Sequence, residues 1–259
     1  MINKITEIIK QAGDIMLSAN HDENRIHSKS GTANFVTEYD IKVQDFLYTA
    51  LAKLIPEANF IGEESDTNDT AKLTDGYSFI IDPIDGTTNF IHDYGHSCIS
   101  VALLKDGEVI IGAVYNPYRD ELFHAEKNRG AYLNGKPIHT STRELCDSLV
   151  CFGTAPYYRE LADKTFAILK WLYLNVRDIR RSGSAALDLC YVACGRCDLF
   201  FEMILSPWDY TAGSLIITEA GGIITAIDGA AVTFDAPSSV VAGNGDAGIR
   251  AFEKAVQNF

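Results

Sequence analysis

The chain has 259 residues, 47% of them hydrophobic, which is enough apolar side chain for one large core or two closely joined ones. Its formal net charge of −13 argues against direct binding to nucleic acid or to anionic lipid. It has neither a run of about 18 apolar residues, as a membrane span would need, nor the basic start and apolar core of a signal peptide. We therefore expect a cytoplasmic protein without membrane partners.

The first part of the chain, up to about residue 140, has the pattern of an α+β unit with an antiparallel sheet. Its apolar residues recur first at helical spacing and then in the short runs and alternations typical of strands. Asp106-Gly107 is a turn that joins two of these strands as a hairpin. The expected elements are a helix over 2–19, a helix from Thr37 until Pro56 ends it, a buried strand over 77–82 and a meander over 96–133.

The second part, 141–259, alternates strands with helices, which is typical of an α/β layer. Gly221-Gly222 is expected to stop one of these helices. No linker rich in proline, serine or charge separates the two parts, so we expect them to act as one unit. The expected strands lie near 148–152, 176–180, 198–202, 223–227 and 239–242, and the expected helices near 158–174, 185–194, 209–220 and 246–257.

The six cysteines are expected to be reduced thiols, because no signal peptide directs the chain to an oxidising compartment. Cys190, Cys194 and Cys197 have the spacing of one helix face and could together bind a metal. The apolar residues around them favour the other interpretation, in which they pack as small hydrophobic side chains.

The segment Asp82–Phe90, which reads Asp-Pro-Ile-Asp-Gly-Thr-Thr-Asn-Phe, directly follows the expected buried strand. Its carboxylates, Asp82 and Asp85, leave the strand end close together and can bind a cation. Gly86 allows close approach to a ligand, and a helix that begins there would offer the N–H groups of Gly86 and Thr87 to an anion. The alternative is a surface turn with a capping aspartate, and the apolar strand in front favours the ligand site.

Of three other acidic segments, two have two interpretations each and the third has one. Glu63 and Glu64 follow an apolar run and could bind a metal or polarise a water, although adjacent glutamates are usually solvated. Asp209 opens a helix, where it could cap the helix or stand at the mouth of a cleft. Thr37 and Asp40 have the spacing of a helix-capping pair.

Together these segments resemble the inositol monophosphatase family, a group of lithium-sensitive, metal-dependent phosphatases, and most closely its bacterial branch. The resemblance runs over nearly the whole chain and in the expected order. The most specific part is the combination of Asp82–Phe90 with the Trp-Asp and Glu-Ala-Gly-Gly segments. The resemblance is carried by Lys29, Val36–Asp40, Gly62–Ser65, Asp82–Phe90, Arg181–Asp188, Phe201-Glu202, Trp208-Asp209 and Glu219–Gly222.

The resemblance implies an α/β fold with α+β character, the layered α/β/α/β/α sandwich of this family. It implies hydrolysis of inositol monophosphate to inositol and phosphate by an activated water, with two to three Mg²⁺ ions per active site. Cations would also reconcile the acidic charge of the chain with a phosphate substrate. A homodimer and inhibition by lithium are further implications of the resemblance.

The metal ligands that the resemblance implies are all oxygen donors. Glu63, Asp82 and the carbonyl of Ile84 would hold a first Mg²⁺ ion. Asp82, Asp85 and Asp209 would hold a second, and Glu63 and Asp82 would help to hold a third through water. Oxygen ligands suit magnesium, and the absence of cysteine and histidine from these motifs disfavours zinc.

The resemblance also assigns catalytic and substrate contacts. Thr87 would orient the attacking water between itself and Glu63, and Asp40 would accept a hydrogen bond from the Thr87 hydroxyl. Glu202 would accept hydrogen bonds from the polyol hydroxyls, the alternative being a solvated charge after the strand over 198–201. The remaining substrate contacts would be Asp85, Gly86, Thr87, Gly183, Ser184 and Ala185.

Other substrates and another class of function stay open at this point. The resemblance assigns no substrate contact to the loop over 152–158, so the preferred phosphate ester is not fixed. The alternatives are fructose 1,6-bisphosphate, NADP, 3′-phosphoadenosine 5′-phosphate and histidinol phosphate. A protein-binding regulator that keeps the fold is the alternative from a different class, and the complete set of carboxylates argues against it.

Overall fold

The computed structural model describes residues 1–19, 26–28, 35–64, 73, 75–245, 249, 250, 252, 253 and 256. Lys29 and part of the helix expected over 246–257 lie outside these residues. Within the described part of the chain, no helix has the length and apolar character needed to span a bilayer.

The described chain includes α-helices, 3₁₀ turns, two sheets and a separate two-stranded ribbon. The helices are α1 (Ile2–Leu17), α2 (Glu38–Leu54), α3 (Thr87–Ile91), α4 (Ala162–Asn175), α5 (Ala185–Ala193) and α6 (Pro207–Glu219), with 3₁₀ turns at Leu145–Asp147 and Arg159–Leu161. The strands are β1 (Ile26–Ser28), β2 (Phe35–Thr37), β3 (Asn59–Gly62), β4 (Tyr77–Asp85), β5 (Cys98–Lys105), β6 (Glu108–Asn116), β7 (Glu121–Glu126), β8 (Ala131–Leu133), β9 (Lys136–Ile138), β10 (Leu149–Phe152), β11 (Asp178–Arg180), β12 (Leu199–Leu205), β13 (Ile223–Thr225) and β14 (Ser238–Gly243).

The elements stack as five layers, α/β/α/β/α, as the sequence led us to expect. Helices α1 and α2 cover one face of the larger sheet with a core that includes Ile9, Leu47 and Phe79. Helices α5 and α6 lie between the two sheets, where their apolar residues join both. Helix α4 covers the outer face of the smaller sheet. The middle helices therefore contact both sheets, and this position allows one cavity to draw residues from each.

The larger sheet has the strand order β3-β4-β5-β6-β7-β8-β9 and is antiparallel except at one edge. There β3 pairs with β4 in parallel, an edge pair that the sequence did not predict. The connection over 63–76 is long enough to return the chain to the same end of the sheet, as a parallel pair requires. The smaller sheet, β11-β10-β12-β14-β13, is also mixed, with parallel pairs around β10 and antiparallel pairs around β14.

The prediction that three cysteines share one helix face is wrong. Helix α5 ends at Ala193, so Cys197 lies beyond it, and the Cys197 Sγ is 3.0 Å from the Cys151 Sγ on β10. Cys190 is buried in the core between the sheets. These thiols form no metal-ligand group within the described residues, and they pack as hydrophobic side chains.

Candidate active site

A bulge in β4 brings Asp82 and Asp85 to the same side of the sheet. Along a regular strand, residues three apart point to opposite faces. Asp82 pairs with Ser100 and Asp85 with Cys98, so β4 has one more residue than β5 over this stretch. Pro83, which has no N–H for the ladder, lies within the bulge. The strand therefore continues past Asp82, where the sequence predicted its end, and presents both carboxylates together.

Gly86 links this strand to the short helix α3 in a conformation that favours glycine. Its φ is 88°, in the left-handed region. A Cβ at this position would also stand 3.1 Å from the Gly183 carbonyl oxygen and 3.2 Å from that of His96. The close approach of Gly183 brings the segment before α5 next to the acidic strand end.

The start of α5 holds one oxygen of Asp85. Asp85 Oδ2 accepts hydrogen bonds from the Ser184 hydroxyl at 2.5 Å and from the Ala186 N–H at 2.8 Å. Ser184 is itself the N-cap of α5, since its Oγ accepts from the Leu187 N–H at 3.3 Å. The helix between the sheets thus fixes the orientation of a carboxylate from the larger sheet.

Asp209 both caps α6 and faces the cavity, so both interpretations of this residue are correct. Its Oδ2 accepts a hydrogen bond from the Ser206 N–H at 2.7 Å, in a capping box. Pro207 occupies the first turn, and the helix therefore begins two residues earlier than the sequence predicted.

Three carboxylates converge in this site. One oxygen from each of Asp82, Asp85 and Asp209 lies within 4.8 Å of the others. Burial raises the pKa of Asp82, and repulsion from Glu63 raises it further. Burial also raises the pKa of Asp85, against the hydrogen bond from Ser184, and the pKa of Asp209, to which repulsion from Asp85 adds. A divalent cation with oxygen ligands would relieve this repulsion, so these residues fit such an ion.

Thr87 connects the acidic cluster to the start of α2. Its Oγ1 lies 3.4 Å from Asp40 Oδ1 and 3.2 Å from the carbonyl oxygen of Ile84. Asp40 Oδ2 accepts from the Thr37 N–H at 2.8 Å and from its hydroxyl at 2.5 Å. Asp40 is therefore the capping residue that the spacing predicted and also a hydrogen-bond partner of Thr87.

Glu63 lies at the end of β3, beside the bulge of β4. Its N–H donates to the Ile81 carbonyl oxygen at 3.2 Å, which extends the parallel pairing by one residue. The next residue, Glu64, donates its N–H to Gln44 Oε1 at 3.0 Å. Since Glu63 lines the same cavity as the cluster, the chain places a fourth carboxylate close to it.

Glu202 is a buried carboxylate on β12, and the alternative of a solvated charge is wrong. It is only 6% exposed, and its Oε1 accepts a hydrogen bond from the Ala155 N–H at 2.7 Å. A Cβ at Gly153 would stand 1.9 Å from Glu202 Oε2, so the carboxylate lies directly against this glycine. Burial raises the pKa of Glu202 to about 7, against the Ala155 hydrogen bond and the charge of Arg181. The loop over 152–158 is thus the support of Glu202.

All the predicted site residues except Asp40 line one cavity of about 840 Å³. Asp40 lies behind Thr87. Aromatic residues of the 152–158 loop form part of the wall, and sequence reasoning had assigned no role to that loop. The predicted site residues that line the cavity are Glu63, Asp82, Ile84, Asp85, Gly86, Thr87, Gly183, Ser184, Ala185, Glu202 and Asp209.

Asp188 is a further acidic residue of the cavity, and it was not among the predicted site residues. It lies on α5, is 1% exposed, and its Oδ1 has no hydrogen-bond partner among the described residues. Burial raises its pKa to about 8, against hydrogen bonds from Ser182 and Cys151. Its position in the apolar run Ala185–Ala193 could have marked it as a buried charge.

We expect Asp188→Asn to stabilise the metal-free protein more at pH 9 than at pH 5. The folded pKa of about 8 lies above the ordinary value of 3.8, so the wild type loses stability as the pH rises through this window. The asparagine amide does not titrate and so avoids this loss. At pH 9 the wild type should have lost on the order of a few kcal/mol of its free energy of unfolding. Thermal unfolding at both pH values measures it.

Asp178→Asn is the matched control for this prediction. Asp178 is about half exposed, and its hydrogen bond with Arg180 lowers its pKa, so it stays ionised from pH 5 to 9. Its substitution should therefore shift the melting temperature equally at both pH values. An equal shift for Asp188→Asn as well would contradict the buried charge assigned to Asp188.

The comparison with known proteins agrees with this geometry. The model of the inositol monophosphatase family matches residues 1–257. This chain belongs to that family. It is 38% identical over 247 residues to an inositol-1-monophosphatase of Rhizobium meliloti, covering 94% of this chain and 91% of that protein. It is 39% identical over 230 residues to the putative Nus factor SuhB of Neisseria meningitidis, covering 88% of this chain and 87% of that protein.

A solved structure supports the family assignment at the level of the fold. The extragenic suppressor protein SuhB from Bartonella henselae superposes with a TM-score of 0.89 at 34% identity, over 99% of this chain and 98% of that chain. As expected for a family of metal-dependent phosphatases, the inositol monophosphatase fold of this chain gathers its carboxylates at one cavity.

Proposed function

We propose that this protein hydrolyses inositol monophosphate to inositol and inorganic phosphate, with Mg²⁺ as its metal. The observation that carries the proposal is the convergence of Asp82, Asp85 and Asp209 in a cavity that also holds Glu202. One end of the cavity is thereby suited to a metal-bound phosphate and the other to a polyol. The two parts of the chain, 1–140 and 141–259, act as one catalytic unit in this proposal.

The donor set favours Mg²⁺. All the proposed ligands are hard oxygen donors: Glu63, Asp82 and the Ile84 carbonyl for one ion, and Asp82, Asp85 and Asp209 for another. In this proposal two to three ions bind. Bound Mg²⁺ would neutralise the phosphate and stabilise charge on the attacking and leaving oxygens.

The residues of the chain itself orient the water and the ester. The Thr87 hydroxyl donates towards Asp40 or the Ile84 carbonyl, which leaves its lone pairs to accept a hydrogen bond from the attacking water. Glu63 lines the cavity on the side of β3. Its carboxylate accepts a hydrogen bond from the other O–H group of the attacking water. Gly86 contacts the phosphate through its backbone. As the water oxygen bonds to phosphorus, its proton passes to Glu63 and the bond from phosphorus to the inositol oxygen breaks. That oxygen takes up a proton from solvent as inositol leaves.

Recognition of the alcohol part belongs to Glu202 and the segment Gly183–Ala185. Oε1 of Glu202 is held by the Ala155 N–H, so the carboxylate keeps one orientation towards the cavity. A buried carboxylate that loses hydrogen-bonding partners is costly, and the site should therefore prefer substrates with matched hydroxyls.

We expect Glu202→Gln to lower kcat/KM for inositol monophosphate by about tenfold to a hundredfold, the effect of a weakened hydrogen bond to a charged group. The glutamine oxygen can still accept from the Ala155 N–H, so the fold should survive. For p-nitrophenyl phosphate, which has no hydroxyls to recognise, the loss should be much smaller. Phosphate release with both substrates measures the difference, and Gly153→Ala, which displaces the carboxylate, should act in the same direction.

Two outcomes would contradict this role. If both substrates lose activity equally, Glu202 serves the metal cluster or the fold. If neither changes, the polyol is recognised elsewhere. The wild type offers a second readout, since the preference for inositol monophosphate should rise as the pH passes about 7 and Glu202 ionises.

A second candidate function is a protein-binding regulator. The relatives from Neisseria meningitidis and Bartonella henselae are named as a putative Nus factor and an extragenic suppressor, which favours such a role. The complete carboxylate cluster supports catalysis as the main activity.

The alternative substrates are compared in one phosphate-release assay, with and without magnesium. Its substrates are inositol monophosphate, fructose 1,6-bisphosphate, NADP, 3′-phosphoadenosine 5′-phosphate and histidinol phosphate.

The family also supports three subsidiary proposals. We propose that millimolar lithium inhibits the enzyme, that the protein is a homodimer and that it is cytoplasmic. Activity in lithium chloride tests the first, sedimentation analysis the second and cell fractionation the third.

A further inference from the structure

Arg181 is the one basic side chain among the described residues that line the catalytic cavity. The wall is otherwise strongly acidic. Its carboxylates are those of Glu63, Asp82, Asp85, Asp188, Glu202 and Asp209. Hydrolysis of a phosphate ester whose alcohol part is an uncharged polyol does not require a positively charged side chain among these carboxylates.

Arg181 makes no ion pair or hydrogen bond within the described part of the chain, whereas its neighbour does. Arg180 donates to Asp178 Oδ2 at 2.5 Å. Arg196, which also lies near this wall, is held by Glu121. The Arg181 guanidinium therefore keeps its donors available for a ligand in the cavity.

The backbone around Gly183 fixes the place of this guanidinium. Gly183 has a φ of 98°, and a Cβ there would stand 2.4 Å from Arg181 Nη1, so the guanidinium lies against the glycine. Asn89 pins the same segment, because its Nδ2 donates to the carbonyl oxygens of Ser182 at 3.0 Å and His96 at 2.8 Å. The cation thus stands beside the segment to which the proposed function assigns the alcohol part of the substrate.

The charge of Arg181 acts at the end of the cavity where the alcohol would bind. Burial raises the pKa of Glu202, and the Ala155 hydrogen bond and then Arg181 oppose that rise. The phosphate undergoing hydrolysis would lie at the cluster of Asp82, Asp85 and Asp209, whereas the Arg181 guanidinium lies against Gly183, so Arg181 has a different task.

We propose that Arg181 is a specificity-determining residue that binds a second anionic group, a phosphate or a carboxylate, on the alcohol part of the substrate. This inference rests on the proposed function and extends its substrate class to phosphate monoesters that carry such a group. The guanidinium offers paired N–H donors that match either anion.

Two matched pairs of substrates test the inference. Inositol 1-phosphate and inositol 1,4-bisphosphate differ by a phosphate, while glycerol 2-phosphate and 2-phosphoglycerate differ by a carboxylate. In the wild type we expect a higher kcat/KM for the anionic member of at least one pair. Arg181→Gln should lower that value about tenfold to a hundredfold more than the value for the neutral member, mainly through KM. The pair that responds identifies the anion.

Arg180→Gln is the matched control, because Arg180 is the adjacent arginine but is paired with Asp178 outside this cavity. It should leave both members of each pair unchanged. An equal loss for both members in Arg181→Gln would overturn the inference and make Arg181 a support of Glu202. No loss for either member would also overturn it. A wild type that hydrolyses glycerol 2-phosphate but not inositol 1-phosphate would overturn the proposed function alone, since the glycerol pair still tests Arg181.

Discussion

Asparagine in place of Asp85 or Asp209 is expected to lower kcat for inositol monophosphate by about a hundredfold or more, with the fold retained. Each carboxylate uses Oδ2 for backbone or hydroxyl donors, at Ser184 and Ala186 for Asp85 and at Ser206 for Asp209. The amide oxygen can keep such a bond, but the charge needed at the cluster is lost. Steady-state phosphate release at saturating magnesium, with circular dichroism to check the fold, measures the effect.

Asp228→Asn is the matched control for these variants. Asp228 is an exposed carboxylate that also accepts a hydrogen bond from a backbone N–H, that of Ala230 at 3.0 Å. Its substitution repeats the chemical change away from the cluster and should leave turnover unaltered. Near-normal turnover in folded Asp85→Asn or Asp209→Asn at saturating magnesium would rule out these two aspartates as essential metal ligands.

The two carboxylates of β4 show how far local sequence reaches. The motif after an apolar run was enough to predict that Asp82 and Asp85 act together. The sequence did not predict that the strand continues through Pro83 with a bulge, because this depends on the pairing of Asp85 with Cys98 on β5. The register between two strands depends on both strands, so a motif within one strand does not determine it.

Helix ends were predictable where capping is local. Thr37 and Asp40 form the capping box that their spacing predicted. At α6 the same signal was present, with Ser206 three residues before Asp209, but the prediction relied on Asp209 alone and placed the start of the helix too late.

The surroundings of Glu202 could not be predicted from sequence. Its hydrogen bond to Ala155 and its contact with Gly153 join residues about fifty positions apart in the chain. The sequence around Gly153 does not indicate which side chain will pack against this glycine. The resemblance predicted the role of Glu202, and only the packed structure shows which loop supports it.

Magnesium is expected to stabilise the folded protein and to be required for activity. At about 100 times its dissociation constant, an ion that binds only the folded state adds about 3 kcal/mol to the free energy of unfolding. The ion relieves repulsion among Asp82, Asp85 and Asp209. Burial raises the pKa values of all three, and repulsion from neighbouring carboxylates adds to the rise at Asp82 and Asp209. Thermal unfolding and phosphate release, each with magnesium and with EDTA, measure the two effects.

The effect of magnesium on stability should grow with pH. Because the folded pKa values of the three aspartates lie above the ordinary value of 3.8, the metal-free protein is stabilised below that pH and loses stability as the pH rises through the folded values. Metal binding needs the ionised carboxylates, so the rise in melting temperature should be greater at pH 8 than at pH 5. Asp209→Asn should reduce the rise, and Asp228→Asn should keep it. A melting curve that magnesium leaves unchanged at pH 8, together with full activity in EDTA, would show that the carboxylates do not form a metal site.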